Sequence, residues 1–255
     1  MAQRYVQLPN LGCPAILAPL CGGDEMKVVD VSTRSAISLL SSITHDERGE
    51  PIDALELTAG ERDRLLGRLW QEIFGDEVQS TVRCRACEER FDVDFLLSDL
   101  LGSVFSDDQF APNDQAPRVV QVLGCTARLP RGKEELAIAG MDKRSAAKYL
   151  SERCIVDGEC EDPVVFVEAL GELEPVVNLK LAAKCPECGE EQSIGFDLQQ
   201  YVMTALVEQR EHVLIELHSL ASAYGWSSAE ILDLSRRDRK TLARLISQSA
   251  SRRRR

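Results

Sequence analysis

Two short stretches of this chain alternate apolar and polar residues with a period of two. Phe91, Val93 and Phe95 are separated by Asp92 and Asp94, and Ile194 and Phe196 by Gly195, with Asp197 following. That rhythm gives a strand one buried face and one wet face. The residues ahead of each stretch, 78–83 and 176–184, are also strand-like, so each unit predicts a small β-hairpin.

Elsewhere the apolar spacing is helical. Thr58-Ala59-Gly60-Glu61 is a capping box, and Leu65, Leu66, Leu69, Trp70 and Ile73 form one stripe that ends at Gly75. Ser32 or Thr33 caps an earlier helix running to Ile43. Residues 8–14 carry too much Pro and Gly for an element and predict an irregular opening. In the middle, Val119 to Leu123 and Cys125 to Leu129 predict two strands. Asp142 caps a helix to Cys154, and Asp162-Pro163 opens another.

A helix of about 27 residues, Leu198 to Tyr224, follows the second alternating stretch and carries Val202, Leu206, Val213, Leu217, Leu220 and Tyr224 on one seam. The seam predicts packing on the helix's own domain rather than on a partner helix. Gly225 stops it, Ser227 to Glu230 is a second capping box, and Ser235 with Asp238 opens a last helix bearing Leu242, Leu245 and Ile246. Trp226 is expected to be buried against the helix turn.

The turns of the two predicted hairpins hold the chemistry. Cys84-Arg85-Ala86-Cys87 and Cys185-Pro186-Glu187-Cys188-Gly189 are CxxC knuckles, and in each unit a Phe lies eight residues past the second cysteine. Two knuckles supply four thiolates, which complete a tetrahedral structural zinc shell. Cys84, Cys87, Cys185 and Cys188 are therefore the candidate metal ligands, with structural Zn2+ as the cofactor. A redox CxxC opens a helix after a strand, whereas both of these precede strands. Nine cysteines is an odd count, and the first thirty residues show no basic segment leading into an apolar one, so a disulfide framework is not expected. Cys13, Cys21, Cys125, Cys154 and Cys160 have no ligand spacing and read as reduced thiols in a cytoplasmic protein.

The fold class expected is α+β, with two zinc-knuckle β-hairpins joined at one four-cysteine site, a central α/β insertion and a helical C-terminal arm. The divisions are an irregular and helical segment over 1–48, helix plus first hairpin over 49–101, a polar linker over 102–117, the insertion over 118–175, the second hairpin over 176–198, the arm over 199–249 and a basic tail over 250–255. A metal bridging both hairpins would close the long excursion between them, where a clip stabilises most.

Composition adds an asymmetry. The 255 residues are 44% hydrophobic and 28% charged, enough for a sizeable core, and no stretch reaches the length of a membrane helix. The net charge is -12, but residues 228–255 hold nine Lys/Arg against three Asp/Glu, which leaves -18 on residues 1–227.

Several segments together resemble a known family. They are Ile73-Phe74-Gly75-Asp76, Val82-Arg83-Cys84-Arg85-Ala86-Cys87 with Phe91 and Phe95, the CPxCG knuckle at Cys185 to Gly189, Glu216 to Ser227 with its YGWS, Glu230-Ile231-Leu232 and Leu234 to Arg237. Over most of residues 50–246 the chain resembles the T4-type baseplate hub assembly chaperones of contractile phage tails and phage-tail-like contractile injection systems. The resemblance implies a non-catalytic role in building a baseplate, as a chaperone or a retained subunit, with baseplate, hub or spike proteins as partners. It departs at the first knuckle, where Glu88 stands in place of the family's usual Gly and strain is expected in the turn.

Two other classes compete. A zinc-ribbon nucleic-acid-binding protein would use Arg236, Arg237, Arg239, Lys240, Arg244 and Arg252 to Arg255. Against it, the body is acidic and no aromatic residue interleaves with the basic run. An enzyme has little support: His45, His212 and His218 are the only histidines, His212 and Glu216 read as a polar helix face, no Gly-rich phosphate loop is present, and a closed four-thiolate shell leaves no open coordination position. No enzymatic activity is expected.

Overall fold

The computed structural model describes residues 5–105 and 118–253, with no side-chain detail beyond 249. Most of the predicted 102–117 linker and the terminal Arg254 and Arg255 lie outside the described residues. The chain mixes helices with small antiparallel sheets.

Its opening is not irregular. β1 (Val6–Leu8) and β2 (Cys13–Leu17) pair antiparallel around Gly12, whose φ of 78° suits glycine. Pro14 is tolerated on β2 because pairing with the third strand, residues 44–46, begins only at Ala15, opposite Asp46. Between them run α1 (Gly22–Lys27) and α2 (Thr33–Ile43), the latter capped by the Ser32 hydroxyl as expected, and β3 (Thr44–Asp46) completes the sheet.

A 3-10 turn (Ala54–Glu56) leads into α3 (Ala59–Phe74). Its capping box forms: the Thr58 hydroxyl accepts from Glu61 N–H, and the Glu61 carboxylate accepts from Thr58, Asn10 and Leu11 N–H. One acid thus starts the helix and pins the N-terminal loop. Leu65, Leu66 and Leu69 face a core shared with α2 and the N-terminal part of the long helix.

β4 (Glu77–Arg83) and β5 (Arg90–Leu96) form the first hairpin, followed by α4 (Leu97–Val104), a helix that occupies the start of the stretch read as linker. The middle region is a second small unit: β6 (Val119–Val122), β7 (Cys125–Arg128), α5 (Gly132–Ile138), α6 (Lys143–Cys154), β8 (Ile155–Asp157) and α7 (Pro163–Glu172). β6 and β7 turn through Leu123 and Gly124, both at positive φ, the arrangement of a tight hairpin. Cys125, Cys154, Phe166 and Leu170 make its own core. Cys160 packs at its margin.

β9 (Asn178–Lys184) and β10 (Glu191–Asp197) form the second hairpin, and α8 (Leu198–Tyr224) follows directly. As its seam predicts, α8 packs on its own domain: it starts in the main core with Leu198, Val202, Met203 and Leu206, while Val213 and Leu220 continue the buried seam. α9 (Ser228–Leu232) and α10 (Arg236–Arg253) fold back onto it. Arg236 and Arg239 lie buried between α1, α8 and α10. Both guanidiniums pair with Glu25, and Arg239 Nε reaches Glu216 at 2.7 Å.

The start of α3 also grips the second hairpin. Asp63 Oδ2 accepts from Val177 N–H at 2.8 Å, and Glu174 Oε1 accepts from Gly60 N–H at 2.8 Å. A Cβ on Gly60 would lie 2.3 Å from the Pro175 carbonyl oxygen, so only glycine allows this approach. Desolvation pushes Asp63 up to about 6 and Glu174 up to about 7, despite the hydrogen bonds they accept. Folded pKa values above the unfolded ones mean stability that is present at low pH and is lost as pH rises through 6 to 7. Between pH 7.5 and 5.5 the gain should be about 1 kcal/mol from Asp63 and about 2 kcal/mol from Glu174. Urea midpoints at the two pH values check this; an Asp63→Asn/Glu174→Gln double variant that keeps the wild-type pH slope contradicts it.

Candidate metal centre

The two hairpins superpose residue by residue at a constant offset of 101, from Glu77 matched with Asn178 to Leu96 matched with Asp197. Asp76 and Val177 each accept from the first residue of the following helix, Leu97 N–H at 2.8 Å and Leu198 N–H at 2.9 Å. Phe95 and Phe196 occupy equivalent places and meet edge to face, with centroids 5.2 Å apart, at the base of the pair.

At the tips the knuckles repeat bond for bond. Cys84 N–H donates to Glu89 C=O at 2.9 Å and Glu88 N–H to Cys84 C=O at 3.1 Å. Cys185 N–H donates to Glu190 C=O at 2.8 Å and Gly189 N–H to Cys185 C=O at 3.0 Å. The turn requires a left-handed residue after the second cysteine. Gly189 takes φ 77° freely, whereas Glu88 takes φ 65° against its Cβ, so the strain expected from the missing glycine is located there. Arg83 compensates: its guanidinium donates to the Glu88 carbonyl and to the Glu88 carboxylate, both at 3.0 Å.

All four predicted thiols come together. Their sulfurs lie within 4.8 Å of one another, with Cys84 to Cys188 at 3.6 Å and Cys87 to Cys185 at 3.7 Å. None is disulfide-bonded. Four sulfurs about 2.3 Å from a tetrahedral zinc stand about 3.8 Å apart, so the observed separations suit that ion. Cys84 and Cys185 are buried, Cys87 is half-buried and Cys188 is exposed, which puts the cluster at the hairpin tips with one edge open to water.

The surroundings favour thiolate at one sulfur. The N–H groups of Cys87 and Ala86 point at the Cys84 sulfur, Ala86 at 3.4 Å, and hold its thiol down to about 7. Cys87 goes the other way, up to about 12: the Glu89 N–H it accepts from favours thiolate, but desolvation together with the sulfurs of Cys188, Cys84 and Cys185 outweighs it. Four thiols this close shed protons readily only when a cation takes up the charge.

One departure from the duplication locks the hairpins together. Phe91 is buried under the first knuckle, while its counterpart Gln192 faces across the pair. Gln192 Oε1 accepts from Arg85 N–H at 2.9 Å and its Nε2 donates to Arg83 C=O at 3.2 Å. Sequence reasoning missed Gln192; the break in apolar alternation at that position is the signal that could have found it.

Other candidates do not gather. His212 is exposed and Glu216 is engaged with Arg239, so the helical His/Glu pair holds no site. Trp226 is not buried: it is 38% exposed and stacks on Tyr224, with ring centroids 5.0 Å apart. Of the basic helix proposed for nucleic acid, Arg236 and Arg239 are buried and paired with acids. The side chains of Arg252 to Arg255 lie outside the described residues. Among the described residues no helix is long and apolar enough to cross a membrane. No family model, curated protein or solved structure matches this chain.

Proposed function

We propose that this chain is a non-catalytic zinc-binding assembly protein for the baseplate of a contractile phage tail or contractile injection system, acting in the cytoplasm as chaperone or structural component. The four-sulfur cluster carries the zinc part: its separations fit a tetrahedral ion, and a shell closed by four thiolates holds structure without offering a position for substrate. The assembly part rests on the family resemblance of the flanking segments. In the fold, Asp76 of the FGD segment accepts from Gln71 Nε2 at 2.8 Å and from Ser98 N–H at 2.9 Å, and so ties α3 to the base of the first hairpin. Gly225 of YGWS ends α8 at φ 70°, leaving the Tyr224 and Trp226 rings presented to solvent.

An exposed stacked aromatic pair is the kind of surface at which partner contacts concentrate. Trp226→Ala is expected to change stability by less than about 0.5 kcal/mol while weakening capture of a baseplate partner by tenfold or more. Co-expression with neighbouring genes tests the whole reading: co-purification with tube, hub or spike proteins is expected, and a genomic setting free of tail genes would defeat it. The nucleic-acid alternative keeps only Arg237, Lys240 and Arg244 among the described basic side chains of α10, and no observation favours it.

A further inference from the structure

Of the nine cysteines, all free, only Cys188 is exposed. An oxidant in solution therefore meets the thiol cluster at that sulfur first. The sulfur facing it belongs to the other hairpin: Cys84 stands 3.6 Å away, and Cys87 and Cys185 make a second contact across the pair at 3.7 Å. A redox CxxC enzyme joins the two cysteines of one motif. Here the contacts run between hairpins instead.

Gln192 fixes that pairing without help from a metal. Its side-chain amide bonds Arg83 C=O and Arg85 N–H, the neighbours of Cys84 on either side, and so holds Cys84 against the second hairpin. Val82, Phe91, Val93 and Ala183 pack with the cysteines and keep the two tips together around them.

We propose that the cluster is a peroxide-oxidation site at which two disulfides form between the hairpins, Cys84 to Cys188 and then Cys87 to Cys185, and hold the tips in the metal's place. In the first step the Cys188 thiolate attacks hydrogen peroxide: a sulfur–oxygen bond forms, the oxygen–oxygen bond breaks, and hydroxide leaves a sulfenic acid behind. The Cys84 thiolate then attacks that sulfur and expels the second hydroxide. Two thiolates have given two electrons to one peroxide, and solvent protons convert both hydroxides to water. Two of the four ligands are then consumed, and the remaining two no longer hold an ion. The release of metal rests on the zinc reading above; the linkage rests on the sulfur positions alone.

Peptide mapping tests it on the wild-type chain, so no variant has to fold. Protein purified in reducing, chelator-free buffer is freed of reductant, treated with a small excess of hydrogen peroxide and alkylated. Cleavage after arginine and glutamate, at Arg85 and Glu187 among other sites, puts the four cysteines on separate peptides. The Cys84 peptide is expected on that of Cys188 first and the Cys87 peptide on that of Cys185 afterwards, with one zinc per chain released to a chromogenic chelator in step with the first bond. The oxidised, metal-free protein should melt about 10 °C above reduced protein stripped by a chelator, because the first bond joins residues 104 positions apart. Gln192→Ala should lower the yield of the Cys84 to Cys188 link severalfold. Links confined to one knuckle, sulfinic acids without any link, or an oxidised protein that melts with the stripped one would overturn the proposal and leave the zinc reading intact. A chain that forms the Cys84 to Cys188 link but carries no zinc supports the linkage and defeats the zinc reading instead.

Discussion

Cys84→Ser and Cys188→Ser variants are each expected to lose bound zinc and to melt about 10–20 °C below wild type. Structural zinc contributes on the order of 10 kcal/mol or more of apparent binding energy in small peptides. Losing one of four thiolates should forfeit roughly half of that, and for a chain of this size about 5 kcal/mol corresponds to 2–4 °C per kcal/mol. The effect should be large here for a geometric reason. The hairpin tips lie off the main core, where Val82, Phe91, Val93 and Ala183 pack with the cysteines in a small cluster of their own, and without the metal that cluster and the cross-bond of Gln192 are what remains to hold the tips together. Cys160→Ser, outside the cluster, should change stability by less than about 1 kcal/mol. Elemental analysis after purification in reducing, chelator-free buffer is expected to return one zinc per chain, and a chelator should lower the wild-type melting temperature to that of the variants. Metal-free wild-type protein whose melting ignores both zinc and chelator would remove the site.

The two hairpins are legible in the sequence because several local signals agree there. Period-two alternation, paired cysteines at the same register and a Phe at the same distance all report one duplicated unit, and the register pairs follow it residue by residue. Capping boxes at Thr58 and Ser227 are legible for the same reason: a cap is made by residues three apart, so no distant contact decides it. What is not legible depends on partners far along the chain. β1 and β2 are three and five residues long and contain Pro14, so only their pairing with each other and with β3 makes them strands. α4 follows its hairpin without a capping side chain, and Gly102 and Ser103 in it read as loop. Trp226 fails in the opposite sense. An average preference for burial does not apply where α8 has already turned away from the core.

Arg239 is the sharpest example, since nothing local separates it from the exposed Arg237 and Arg244 beside it in a basic run. Its burial is decided by Glu25, 214 residues away, and by Gly22, where a Cβ would come within 2.7 Å of the Arg239 guanidinium. Glu25→Ala is therefore expected to destabilise the protein by about 3–5 kcal/mol, because two buried guanidiniums would be left with Glu216 as their one remaining carboxylate. Hydrogen exchange should show the damage in α9 and α10 first, where Gly22 N–H bonded to Leu234 C=O and Arg236 N–H bonded to Leu20 C=O tie the C-terminal helices to the N-terminal segment. Replacing the set together, as Glu25→Leu/Arg236→Met/Arg239→Met, removes the charges along with their counter-charge, and should destabilise less than Glu25→Ala alone. Chemical denaturation of the two variants distinguishes the accounts. If the triple replacement is the more damaging, the ion network supplies net stability of its own; if it is the milder, the network's role is to fix where α10 docks against α8 and Glu25 of α1.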